Sequence, residues 1–161
     1  MSRIDGAYLA RKITKELGRS ISMMTMDRSR VARYGEKVRH ITLSLREVAS
    51  VMPSPRGIVL KGVYYDILTA IESCMDIIAM LCRDRGTVPK GDVENIESLS
   101  RLGVIDEALA EQLRRCNGLR NVLVHQYNGI DSGIVLESVP QVEQALLRFL
   151  DVVERLLNEG R

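Results

Sequence analysis

Leu60, Tyr64, Ile67, Ile71, Cys74, Ile78 and Leu81 recur at spacings of three and four without a break. On a helix turning about 100° per residue such a series forms one apolar stripe, whereas on a strand it would scatter over both faces. It predicts a helix over about residues 58–82 that has to bury one whole side against partners of its own kind. Val38, Ile41, Leu45 and Val48 or Ala49 repeat the pattern over about residues 29–51, and Leu146, Leu147, Leu150, Val153, Leu156 and Leu157 repeat it near the end. The chain has no Trp and a single Phe, Phe149, so its interior is built from Leu, Ile, Val and Met. With 161 residues, 45% of them hydrophobic, it is long enough for one substantial core.

The breaks between stripes carry their own chemistry. Met52-Pro53-Ser54-Pro55-Arg56-Gly57 cannot continue a helix. Arg83 to Gly91, with Gly86 and Pro89 inside it, reads as a loop. A short helix follows, with Asp92 as its N-cap, Ile96, Leu99 and Leu102 apolar, and Gly103 closing it. Asp106 caps a long helix whose Leu109, Leu113, Cys116 and Leu123 face the core; Tyr127 ends it before the Asn128-Gly129 turn. Asp131 or Ser132 starts a short helical turn to Glu137, and Pro140 opens the last helix. The expected fold is all-α, an up-and-down four-helix bundle with additional short helices.

Residues 1–35 read as a basic helical extension to a bundle domain of residues 36–161. Leu9, Ile13, Leu17 and Ile21 recur every four positions, and residues 1–40 hold ten Lys or Arg against four acids. That arm suits RNA or an acidic partner, or is simply a solvated helix face. The Met23-Met24-Thr25-Met26 stretch behind it reads as hinge or packing filler. No apolar run approaches the ~18 residues that span a bilayer, and the N-terminus lacks a secretory core, so a cytoplasmic location and no membrane partner are expected. Cys74, Cys82 and Cys116 are scattered, His40 and His125 lie far apart, and no glycine-rich phosphate loop appears. No metal site and no cofactor is expected.

One helical segment is unlike the rest. Leu119 to Asp131 places Arg120, Asn121, His125 and Tyr127 in an otherwise apolar run. On an ideal helix Arg120 and Tyr127 nearly eclipse, with Asn121 and His125 on an adjoining strip, so the four span an arc of roughly 160°. That is too broad for one neighbouring helix, and half of it suits a cleft shared with a second copy. An imidazole gives or takes a proton near neutrality, and a guanidinium grips phosphate oxygens with a two-pronged fork. The pairing fits phosphodiester chemistry; the plainer alternative is a helix-end histidine and a surface arginine. On the third helix Tyr65, Thr69, Glu72 and Asp76 recur along one edge. One of the two acids is placed to hydrogen-bond Arg120 or orient His125, unless the edge is merely exposed.

Arg120-Asn121, His125 and Tyr127 resemble the Arg-x4-His-x-Tyr signature of the HEPN superfamily, and more closely its HepT-like group of small helical toxins. Ala70 to Ile78 is similar to a helix of that family, as is Leu102-Gly103-Val104-Ile105 leading into the signature helix. The resemblance runs over about residues 36–158 and favours Asp76 of the two acids. It implies an endoribonuclease toxin acting on single-stranded RNA without a metal ion, with Arg120, Asn121 and His125 catalytic. It also implies a homodimer with two signatures across one cleft. The implied partner is a minimal nucleotidyltransferase antitoxin, with Tyr127 as acceptor of AMP. The alternative within the family is a non-catalytic module that binds a nucleotide or the nucleotidyltransferase through the same residues.

Overall fold

The computed structural model describes residue 11 and residues 28–125 and 129–158. The expected N-terminal helix and Tyr127 therefore lie outside the described residues, apart from Arg11. Within them are five helices and no strand: α1 (Arg28–Val51), α2 (Gly57–Asp84), α3 (Asp92–Arg101), α4 (Glu107–His125) and α5 (Ser132–Asn158). Four are long and one is short, the bundle the stripes predict.

α2 is the central element and packs on all four others. The lower part of its stripe is buried, with Ile67, Ile71, Cys74 and Ile78 excluded from solvent, while Leu60 and Tyr64 are half-buried. α1 lies along α2 through Val38, Ile41, Leu45 and Val48; Ala49 is exposed. Tyr34 at the start of α1 donates to Asp84 Oδ2 at the end of α2 at 2.7 Å, so the two helices run antiparallel.

Two of the expected boundaries differ. Asp92 is not a cap: Gly91 occupies the N-cap position and makes no side-chain bond to the helix, and Asp92 is the first residue of α3. The separate turn before Pro140 does not form either; α5 is one helix with Pro140 inside it. Val135, Val139, Val142, Ala145, Leu146, Phe149, Leu150 and Val153 form one buried stripe through that position. Pro140 sits on the exposed side, where water can take the carbonyl its ring leaves unbonded. The two other expected caps are present. Asp106 Oδ1 accepts from Leu109 N at 2.7 Å, and Asp131 Oδ1 accepts from Gly133 N at 2.9 Å. Gly103 closes α3 with φ +72°, a region glycine enters without a Cβ clash.

Among the described residues no helix is long and apolar enough to cross a membrane.

Candidate functional site

α4 is held in register by its Asp106 cap and by Leu109, Ala110, Leu113, Cys116 and Leu123, all buried. That register decides where Arg120 goes. It stands four residues after Cys116 and three after Asn117, which are both buried, so its side chain leaves the inward side of the helix. A guanidinium there needs acids to meet it. Glu72 of α2 places Oε1 3.7 Å from Nε, and Asp92 of α3 places Oδ2 3.7 Å from Nη1. Asn121 adds an acceptor, its Oδ1 3.0 Å from Nη1. The side chain keeps 29% exposure, yet Nε is closed to solvent and has no hydrogen-bond partner within reach. The arginine is thus fixed on two sides and open on one.

Of the two candidate acids on α2, Glu72 lies at Arg120. Asp76 turns instead to α1, with Oδ2 2.5 Å from Lys37 Nζ. His125 is the last residue of α4 and exposed. On ideal geometry it lies about 140° around the helix from Arg120 and about 7.5 Å further along it. Within one chain the two side chains therefore do not converge on one point.

Two residues at this site escaped the sequence reading. Asp92 looked like a local cap, and nothing in its neighbourhood signals a partner on a distant helix. Asn117 was legible: it is an amide at a core spacing, one turn before Arg120. It is 6% exposed and its Oδ1 has no hydrogen-bond partner.

The cysteines beside this cluster are poor nucleophiles. Burial pushes the Cys116 thiol up to about 12. Burial also raises Cys74 well above the usual thiol range, helped by the nearby charges of Cys116 and Asp92. Both stay protonated at neutral pH. Among the described residues no group of three His, Cys, Asp or Glu could hold a metal ion. A groove of about 320 Å³ lies between α1 and α5, lined by Thr42, Leu45, Glu143 and Leu147 among others, and shares no residue with the Arg120 cluster.

Residues 36–153 match the family described as Ribonuclease HepT-like. A protein of Archaeoglobus fulgidus, provisionally named an RNase, is 48% identical over 127 residues, covering 79% of this chain and 95% of its own. The mRNA nuclease HepT of Shewanella oneidensis is 26% identical over 94 residues, 58% of this chain and 71% of its own. Among solved structures, the tri-AMPylated HEPN toxin of Shewanella oneidensis in complex with an MNT antitoxin superposes with a TM-score of 0.70 at 21% identity. The match covers 76% of this chain and 97% of that one. At that identity the likeness concerns the fold.

Proposed function

The chain belongs to the HepT-like ribonuclease family, and from that membership we propose that it is an endoribonuclease toxin that cuts single-stranded RNA without a metal ion. The observation that carries this is the state of Arg120. It is held by carboxylates from α2 and α3 and by Asn121, and its 29% exposure leaves one side for a phosphate oxygen.

In the proposed reaction Arg120 binds the scissile phosphate and stabilises the charge that grows on its oxygens. His125 takes the proton from the 2′-hydroxyl, whose oxygen attacks the adjacent phosphorus. The bond to the 5′ oxygen breaks, and an imidazolium returns a proton to that leaving oxygen. The products are a 2′,3′-cyclic phosphate and a 5′-hydroxyl end, and DNA, lacking the nucleophile, is spared. Asn121 positions Arg120. Because Arg120 and His125 diverge within one chain, the reading includes a homodimer whose two signature helices face one cleft.

The solved relatives are toxins bound to an antitoxin, and we extend that partnership to this chain: a minimal nucleotidyltransferase adds AMP to Tyr127. The phenol oxygen attacks the α-phosphorus of ATP and pyrophosphate leaves. The added phosphate then competes with the substrate's phosphate for Arg120. This pair acts in the cytoplasm.

The test is cleavage of a single-stranded RNA in EDTA by wild type, Arg120→Ala and His125→Ala, each confirmed as folded by circular dichroism. Cutting by wild type alone supports the reading. Unmodified wild type that binds RNA or nucleotide without cutting would replace it with the non-catalytic module.

A further inference from the structure

α2 and α4 run antiparallel beside the site. Glu72 meets Arg120, and two residues further along α2 the buried Cys74 is a near neighbour of Cys116, four residues back on α4. With each helix rising about 1.5 Å per residue, His125 comes level with Ile67 and the turn of α2 that carries Tyr65 and Leu68. α3 covers only one side of this pair. It begins at Arg120 with Asp92 and runs to the start of α4, where Ser100 donates to Glu107 Oε2 at 3.2 Å. On the other side of Arg120, towards His125, α3 is absent.

The flank of α2 that borders this open side carries Lys61, Tyr65, Leu68 and Glu72, spaced four, three and four. Tyr64 and Leu68 pack against the core and form its floor. Tyr65 stands above them at 64% exposure, and Lys61 is exposed one turn further out. The Thr69 hydroxyl turns back to its own helix, donating to Tyr65 O at 3.0 Å. Of the other aromatic rings in the described residues, Tyr34 and Phe149 are buried and Tyr64 is half-buried. Tyr65 therefore puts an aromatic face into solvent on the same flank of α2 as Lys61 and Glu72, the residue that meets Arg120.

Resting on the ribonuclease reading above, we propose that Tyr65 is a base-stacking platform of the substrate cleft, with Lys61 meeting the RNA backbone beyond it. Seven residues of helix separate Tyr65 from Glu72, about 10 Å, so the stacked base belongs to a neighbouring nucleotide rather than to the one being cut. Stacking accepts any base, because every base has a π-face. It also demands a base free of its own helix, so this contact selects single strands over duplex.

The experiment uses full-length protein carrying His125→Ala, so that the probe stays intact, and a fluorescein-labelled single-stranded oligoadenylate RNA read by anisotropy. Adding Tyr65→Ala weakens binding by about fivefold to a hundredfold, the range for loss of one stacked base, whereas Tyr65→Phe binds like the parent. Lys61→Gln flattens the dependence of binding on salt. With His125 restored, Tyr65→Ala raises KM and leaves kcat unchanged. If the parent binds and Tyr65→Ala binds equally well, the platform is refuted and the ribonuclease reading stands. If Tyr65→Ala loses RNA only because sedimentation shows its dimer has come apart, Tyr65 is an interface residue and the proposal is wrong. A wild type that neither binds nor cuts single-stranded RNA removes the ribonuclease reading and this inference with it.

Discussion

A guanidinium that leaves the inward side of a helix is tolerated only where acids meet it, and Arg120 is met from two helices at once. Glu72 and Asp92 thus act on the proposed chemistry through Arg120, without touching substrate. Changing Glu72 to Gln or Asp92 to Asn frees the guanidinium to swing. Single-turnover cleavage is expected to fall by as much as a hundredfold in kcat, about what a 1 Å misplacement costs, with little change in melting temperature. Arg120→Lys should fare no better, because one ammonium cannot reach both acids and a phosphate together. The thiols give a second residue-scale expectation. Cys74, Cys82 and Cys116 are all buried and free, and burial raises each of their pKa values. A disulfide reagent at neutral pH should leave native protein untouched and modify all three thiols in denaturant; rapid reaction of native protein would show that this core opens.

Between elements, the α1–α2 contact holds an acid that favours the protonated form. Asp66 is raised to about 6, first by burial, then by its hydrogen bond to Glu47 and the repulsion of that carboxyl, while His40 opposes the shift. A raised carboxyl makes its contribution to stability below the unfolded value near 3.8 and loses it as pH climbs through about 6. Asp66→Asn should therefore stabilise the protein at pH 7.5 and have little effect at pH 4. After allowance for solvent screening the gain is on the order of 1 kcal/mol, read from urea melts at the two values. In α5, Pro140 interrupts a helix that its neighbours hold together. Pro140→Ala restores a backbone donor on the exposed side and should raise stability by about 1–3 kcal/mol; no rise would mean that the helix is already bent to suit the ring.

At the scale of the whole molecule, Arg120 and His125 belong to one helix but point apart, and a two-fold dimer is the simplest way to bring an arginine of one copy to a histidine of the other. Sedimentation should give twice the 18.1 kDa chain mass. Mixing the inactive Arg120→Ala and His125→Ala proteins should restore about a quarter of wild-type activity, since half of randomly re-paired dimers are mixed and each holds one intact site. No recovery would confine the site to a single chain. Much of this protein is legible in its sequence. The all-helical class and the four long helices follow from apolar residues three and four apart, and the Asp106 and Asp131 caps from acids beside helix starts. These are local signals, carried by neighbours within a turn or two. The passage of α5 through Pro140 was not readable, because a continuous buried stripe outweighs a local breaker only once there is a core to bury it. The choice of Glu72 over Asp76 as the acid at Arg120, the arrival of Asp92 from α3 and the open flank at Tyr65 were hidden for the same reason. Each depends on the rotation and register of one helix against another, which packing of the whole core sets and no single stretch of chain contains.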